Sequence, residues 1–94
     1  MDAQMTAVVL GSVYATPGAL KALEAAGMNG AELLARHVRG DWGDVCPEDW
    51  RTNDEALLDG TRLFSVYTLV TGEKVWVITE WDRSATTLLL PEEY

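Results

Sequence analysis

The sequence "TRLFSVYTLVTGEKVWVITEWDRSATTLLLP", residues 61–91, carries the clearest strand pattern of the chain. Two of its segments, "TRLFSVYTLV" and "VWVITEW", alternate apolar and polar residues with the period of two that is typical of half-buried β-strands. The turn "TGEK" around Gly72 joins these segments into a hairpin. A second turn at 82–84 leads to a last strand over 86–90, which Pro91 ends. The sequence therefore predicts a three-stranded antiparallel meander.

The segment before this meander carries the start and stop signals of three short helices. Each predicted helix begins at a capping residue or a proline and ends at a glycine. The predicted bounds are Thr16 to Gly27, Asn29 to Gly40 and Pro47 to Gly60. In the third helix, Trp50, Leu57 and Leu58 are predicted to form the apolar side, with Asp54 between them.

A further strand is predicted over residues 6–14, "TAVVLGSVY", because β-branched and aromatic residues surround a single glycine there. The apolar face of the meander needs a cover, and the three helices are its available cover. The predicted fold is therefore α+β: an N-terminal strand, three short helices, then a three-stranded antiparallel meander packed against the helices. At 94 residues we expect one domain, 1–94, in which residues 1–5 are flexible.

The charge of the chain is strongly negative. Fifteen acidic residues against seven Lys and Arg give a net charge of −8, which works against direct binding of nucleic acid phosphates. Seven of the acids and one base, Arg51, lie between Asp41 and Asp59. Two interpretations of this acidic stretch remain open: a solvated face that keeps the protein in solution, or a surface that a basic partner recognises.

Cysteine content and the N-terminal sequence indicate the compartment. Cys46 is the single cysteine of the sequence, so no internal disulfide framework is predicted. The N-terminal "MDAQMTAVVL" has no basic region, and its apolar run is too short for a signal peptide or a membrane span. We expect a cytoplasmic protein without membrane association.

The stretch "HVRGDWGDVCPEDW", residues 37–50, is dense in residues that carry chemistry. Its histidine, acids and cysteine could offer metal ligands, but their spacing matches no paired Cys or His zinc signature. No phosphate loop or nucleophile motif occurs in the chain. We therefore predict no catalytic residue, no metal ligand and no cofactor. The alternative is a small metabolite-binding or metal-binding accessory domain that uses His37, Asp41 and Asp44.

A docking surface or a packed connection between two helices explains the same stretch better than catalysis does. Its glycines permit unusual backbone angles, its aspartates can cap nearby amides, and Trp42 can pin the loop to the core. A lone histidine on an apolar helix face is typical of a packed residue that donates to a carbonyl. Trp76 is predicted to be core, whereas exposed aromatics beside acids favour a protein interface. The predicted partner-binding residues are Asp41, Trp42, Asp44, Glu48, Asp49, Trp50, Asp54 and Glu55.

From Ala15 to Tyr94 the chain resembles a family of small uncharacterised, plasmid-related bacterial proteins carried on plasmids, phages and integrated elements. The resemblance is carried by "HVRGDWGD" (37–44), "WVITE" (76–80), "DRSATT" (82–87) and "LLPEEY" (89–94). Trp81 departs from the charged or small residue usual at that position. The resemblance implies residence on a mobile genetic element and supplies no activity or catalytic residue.

Together these features predict a small acidic, non-enzymatic interaction protein of a mobile element. Its expected partner is a basic nucleic-acid-handling complex, and its expected role is inhibition of a host defence complex, as an anti-CRISPR or anti-restriction protein. A homodimer formed through the edge of the meander is a further expectation, because nothing in the sequence protects that edge.

Overall fold

A computed structural model describes residues 8–94 of the chain. The elements are, in chain order, β1 (Ser12–Ala15), α1 (Pro17–Ala25), α2 (Gly30–Val38), α3 (Pro47–Asp59), β2 (Leu63–Thr68), β3 (Lys74–Thr79), β4 (Ala85–Leu89) and a 3₁₀ turn (Pro91–Glu93). The α+β class with three helices is as predicted. The expected flexible segment, residues 1–5, and the start of the predicted strand 6–14 lie outside the described residues.

The sheet is four-stranded and mixed, with the strand order β1-β4-β3-β2. The strands β2, β3 and β4 pair antiparallel in sequence, while β1 pairs parallel with β4 and places Val13 beside Thr86. The predicted antiparallel meander is present as β2, β3 and β4, but it is part of a four-stranded mixed sheet, because the N-terminal strand joins it along β4. The strand β1 begins only at Ser12, since Gly11 has a φ of 66° and a Cβ there would lie 2.3 Å from the Ser84 carbonyl oxygen.

Local capping signals set the helix ends. The Thr16 hydroxyl accepts a hydrogen bond from the Ala19 N–H at the start of α1. The Asn29 N–H donates to the Glu32 carboxylate over 3.3 Å, as the predicted capping box requires. Gly60 ends α3 in the left-handed conformation, with a φ of 73°. These helix boundaries were predictable because each depends on residues close in sequence.

Helices α1 and α2 cover one face of the sheet and enclose the main core. This core consists of Ala19, Ala22, Leu23, Leu33, Tyr67, Leu69, Val75, Val77, Leu88 and Leu90. Helix α3 lies instead along β2, where Ala56 packs with Val8, Trp42 and Leu63 in a second cluster.

The predicted apolar side of α3 needs a correction. Trp50 and Leu57 pack partly buried against the second cluster, but Leu58 is 90% exposed. The most buried residues of α3 are Asn53 and Ala56. Helix α3 packs against the edge of β2, where a polar side chain can bond to the strand. The side of α3 that is buried is therefore the side of Asn53 and Ala56, and Leu58 points away from it.

The opposite face of the sheet carries an aromatic cluster. Trp76 packs edge to face between Phe64, at 5.0 Å, and Tyr94, at 5.6 Å between ring centroids. Trp76 is therefore half-buried on this face and is not part of the helix-covered core. None of the helices within residues 8–94 combines the length and the apolarity needed to cross a membrane.

Candidate functional site

The loop between α2 and α3 is held against the edge of β2 by Trp42. The Trp42 side chain is fully buried, and its backbone carbonyl accepts a hydrogen bond from the Val66 N–H over 3.1 Å. Two residues further along the chain, the Asp44 N–H donates to the Val66 carbonyl over 2.7 Å. The loop thus forms a short parallel bridge beside β2. The interpretation of this stretch as a packed connection is confirmed for Trp42.

Gly43 makes this close approach of two backbones possible. It has a φ of 77°, and a Cβ at this position would lie 2.1 Å from the Val66 carbonyl oxygen. Any other residue would push the loop off the strand.

Asp41 is held in a polar cluster at the end of α2. Its carboxylate accepts from Arg36 Nε at 2.7 Å and from a second guanidinium nitrogen at 3.3 Å. These hydrogen bonds lower the pKa of Asp41 and raise that of Arg36. The Arg36 guanidinium also stacks 4.6 Å from the ring centre of Tyr67, whose hydroxyl donates to the Asp41 carbonyl. Asp41 is therefore an internal ion-pair partner, although it is only half-buried.

His37 is fully buried and bonded through both ring nitrogens to hydroxyl groups. Nδ1 lies 2.6 Å from Ser65 Oγ, and Nε2 lies 2.9 Å from Thr79 Oγ1. Thr79 in turn contacts Thr86 Oγ1 at 2.7 Å, and Thr86 donates to the Leu10 carbonyl at 2.8 Å. We call His37, Ser65, Thr79 and Thr86 the hydroxyl chain.

The hydroxyl chain has a direction. A carbonyl oxygen can only accept, so Thr86 donates to Leu10 and must accept from Thr79. Thr79 then accepts from the Nε2–H group of His37. In the neutral imidazole, Nδ1 then carries no proton and accepts from Ser65. The hydrogen bonds thus match the neutral ring in a single tautomer.

Burial also favours the neutral form of the His37 imidazole. Loss of solvent lowers the pKa of His37 from 6.5 to about 4, with a smaller effect from the positive charge of Arg83. A neutral imidazole with both nitrogens bonded inside the core is a structural group. The expectation of a packed histidine is confirmed, although its partners are hydroxyl groups and not a carbonyl.

The structure does not bring together the three residues of the metabolite-binding or metal-binding alternative. His37 faces the hydroxyl chain, Asp41 pairs with Arg36, and the Asp44 carboxylate accepts from the Thr68 hydroxyl at 2.7 Å. Within residues 8–94, no three His, Cys, Asp or Glu side chains are grouped so that they could hold a metal ion. Cys46 is exposed, and its sulfur accepts from the Asp49 N–H at the start of α3.

The eight predicted partner-binding residues differ in their exposure and in their hydrogen bonds within the protein. Trp42 is buried and cannot contact a partner, so its assignment to a docking surface is wrong. The Asp41 carboxylate is bonded to Arg36 of α2, that of Asp44 is bonded to Thr68 of β2, and Trp50 is partly buried. Asp54 is exposed, but its carboxylate accepts from the indole Nε1–H of Trp42 at 2.9 Å. The other three, Glu48, Asp49 and Glu55, are exposed.

One side of α3 is exposed along its whole length. We call it the α3 outer face, and its residues are Glu48, Arg51, Thr52, Glu55, Leu58 and Asp59. Glu48, Thr52, Glu55 and Asp59 follow one another at spacings of three and four residues, which places them in one row. Within the part of the chain described, the three acids of this row form no ion pair.

Sequence reasoning missed Asn53 and the three hydroxyl residues of the hydroxyl chain. Ser65, Thr79 and Thr86 lie in the positions of their strands that face the helices, where apolar residues are expected. Each of these strands has a Ser or Thr at a position that faces the core, and α2 has a histidine on its apolar face. Together these residues are a signal that could have revealed the hydroxyl chain. Asn53 gave no such signal, because its role depends on where α3 meets β2.

Comparison with known proteins adds no relative to this description. No family model, no curated protein and no solved structure matches the chain. The resemblance to plasmid-related proteins therefore stays a prediction. A functional assignment must rest on the residues themselves.

Proposed function

We propose that this protein is a small, non-enzymatic interaction protein that docks through the α3 outer face on a basic protein surface. The observation that supports this proposal most is the placement of Leu58 among acids that form no ion pair within residues 8–94. Leu58 is 90% exposed, and it follows Glu55 and precedes Asp59 on the same helix. An apolar side chain with charged residues around it offers a partner one contact to bury, with a polar rim around that contact.

The two kinds of residue have different roles in this proposal. The acids Glu48, Glu55 and Asp59 attract a positively charged partner and orient it, because charge acts mainly on the rate and specificity of association. Leu58 supplies the apolar contact that is buried on docking. The fixed angle of α3, set by its contacts with Trp42 and β2, presents both as one rigid surface.

The class of partner follows from the net charge and from the resemblance. A chain with a net charge of −8 repels nucleic acid but attracts the basic surfaces that bind it. We propose that the partner is a cytoplasmic nucleic-acid-handling complex, and that the acids of the α3 outer face occupy positions otherwise taken by phosphates. Residence on a mobile element would make a CRISPR or restriction complex of the host the natural target.

The test uses charge reversals that leave the fold intact. Asp54 must be kept, because it satisfies the buried indole of Trp42. The test variant is Glu48→Lys with Glu55→Lys, and the matched control is Glu24→Lys with Glu73→Lys. All four glutamates are exposed, and both variants change the net charge equally.

The measurement is capture of host proteins by the tagged chain, followed by affinity measurements on the purified partner. We expect the wild type and the control to capture the same nucleic-acid-handling complex, and the test variant to bind it at least about tenfold more weakly. Leu58→Ala, which changes no charge, should also weaken binding. Nucleic acid should compete with the wild type for the partner. Equal binding by the test and control variants would show that the acids are only a solvated face.

A further inference from the structure

The two edges of the sheet differ in whether their backbone groups are occupied. At the β2 edge, the N–H and C=O groups of Phe64 bond to the Asn53 side chain at 3.0 and 2.6 Å. The N–H and C=O groups of Val66 bond to the backbone of Trp42 and Asp44. These four bonds close β2 to a further strand. A second copy that paired with this edge of the meander would have to break these bonds.

The other edge is β1, and it is open within the described part of the chain. On the side that faces β4, the Ser12 N–H donates to the carbonyl of Ser84, just before β4, and the Thr16 N–H donates to the carbonyl of Leu88. Alternate residues of a strand point the same way, so the backbone groups of Val13 and Ala15 point away from the sheet. Within residues 8–94, no hydrogen-bond partner meets these four groups.

Apart from its short length of four residues, the strand β1 lacks the features that usually protect an edge. All four of its residues, Ser12 to Ala15, are exposed, with Val13 at 47% and Tyr14 at 58%. It contains no proline and no lysine, and the sequence carries no charged residue between Asp2 and Lys21. An exposed, uncharged strand of this kind is a template for pairing with another strand.

We propose that β1 pairs antiparallel with β1 of a second copy of this chain, so that two four-stranded sheets become one continuous sheet of eight strands. The two-fold axis passes beside Tyr14. In this register Val13 lies opposite Ala15 of the second copy and exchanges two hydrogen bonds with it, and symmetry repeats the pair. All four outward groups of each copy are then satisfied, and the two Tyr14 side chains lie side by side.

The ends of the strand point to a second copy as the occupant. At one end, Gly11 has left the extended conformation and lies against Ser84. At the other end, Pro17 has no N–H group to donate. In the register centred on Tyr14, Gly11 of one copy faces Pro17 of the other, so the paired segment ends at the same place in both copies. We call this paired segment the seam. Two copies of a chain with a net charge of −8 also meet here with least repulsion, because the seam carries no charge.

The test is the oligomeric state of the full chain by sedimentation, from micromolar concentration to about 1 mM. Val13→Pro removes an outward N–H that meets no partner in the described part of the monomer, whereas the control Val13→Thr keeps this N–H and the β-branched shape. We expect concentration-dependent dimers for the wild type and for Val13→Thr. For Val13→Pro we expect at least about tenfold weaker association.

A second measurement covers the case in which Val13→Pro does not fold. Amide hydrogen exchange of the wild type should show protection at Val13 and Ala15 that rises with concentration, while the Phe64 and Val66 amides stay protected throughout. A wild type that remains monomeric at about 1 mM would overturn the proposal. So would a folded Val13→Pro variant that dimerises as well as the wild type. Either result leaves the proposal for the α3 outer face untouched, since that face lies on another element.

Discussion

The Asn53 side chain takes the place of a neighbouring strand: it accepts from the Phe64 N–H at 3.0 Å and donates to the Phe64 carbonyl at 2.6 Å. One buried amide on a helix thereby completes the hydrogen bonding of one residue on a strand edge. An amide is suited to this role because it carries a donor and an acceptor side by side. The neighbouring edge residue, Val66, is served by the loop that contains Gly43.

Asn53→Asp should therefore destabilise the fold. The carboxylate can still accept from the Phe64 N–H, but its second oxygen would face the Phe64 carbonyl oxygen and lose the donor. We expect a loss of about 2 to 3 kcal/mol in the free energy of unfolding, measured by urea denaturation. Thr52→Asp adds the same charge at an exposed neighbouring position and should cost less than about 0.5 kcal/mol. Equal losses in the two variants would argue against this role of Asn53.

Acid should weaken the fold through His37. The pKa of His37 is lowered from 6.5 to about 4, so the folded state binds a proton less readily than the unfolded state does. The stability from this group is complete above pH 6.5 and is lost as the pH falls toward 4. The total loss is roughly 3 kcal/mol. Unfolding free energies measured at intervals from pH 7.5 to 4 should show this slope.

His37→Gln is the control for the pH dependence, because glutamine can donate and accept but does not titrate in this range. The variant should be less stable than the wild type at pH 7, yet its free energy of unfolding should be nearly independent of pH between 6.5 and 5. The pKa values of Asp41 and Glu93 are lowered from 3.8 and 4.5, so their effects on stability come at lower pH and are shared by both proteins. A slope between pH 6.5 and 5 that survives in His37→Gln would assign it to another group.

Asp54→Ala should reveal that this surface acid has a structural role. The substitution leaves the Trp42 Nε1–H without its acceptor, which should cost about 1 to 2 kcal/mol. Glu55→Ala, one residue further on the same helix, should stay within about 0.5 kcal/mol of the wild type. In a Trp42→Phe background, which lacks the indole N–H, the effect of Asp54→Ala should shrink. An undiminished effect there would rule out the hydrogen bond as the cause.

Gly43→Ala and Gly27→Ala separate two reasons for glycine. Both residues have positive φ, at 77° and 69°, but a Cβ at Gly27 would meet nothing within 4 Å. Gly27→Ala should cost only the backbone strain, about 1 kcal/mol. Gly43→Ala adds the clash with the Val66 carbonyl and should cost about 3 kcal/mol or more. Thermal unfolding of the two variants checks the difference, and equal shifts would contradict the close contact.

Local features of the fold could be predicted from the sequence, and pairings between distant segments could not. Helix starts at Thr16 and Asn29 depend on residues within one turn, so their boundaries were readable. The parallel pairing of β1 with β4 joins residues more than seventy positions apart, and no local pattern indicates it. Periodicity misjudged the buried side of α3 for the same reason, because that side is selected by the β2 edge.

The candidate site shows the same division. The exposure of Glu48 and Glu55 could be predicted from their charge and from the helix pattern. The roles of Trp42 and Asp54 could not, because they depend on the contact of these two residues with each other. Composition can place an aromatic residue near acids, but it does not tell whether the pair forms a surface or an internal hydrogen bond. The distinction between Asp54 and Glu55 required the structure.

The direction of the hydroxyl chain also constrains how this core can change during evolution. Every donor from Ser65 through His37 and Thr79 to Thr86 is matched to one acceptor, so a single change to an apolar residue strands a neighbour in the core. Replacement of the whole set by apolar residues of similar volume leaves none of the four side chains unmatched, and only the half-buried Leu10 carbonyl loses its donor. These four positions should therefore diverge together, in concerted steps, while the exposed acids of α3 drift one at a time.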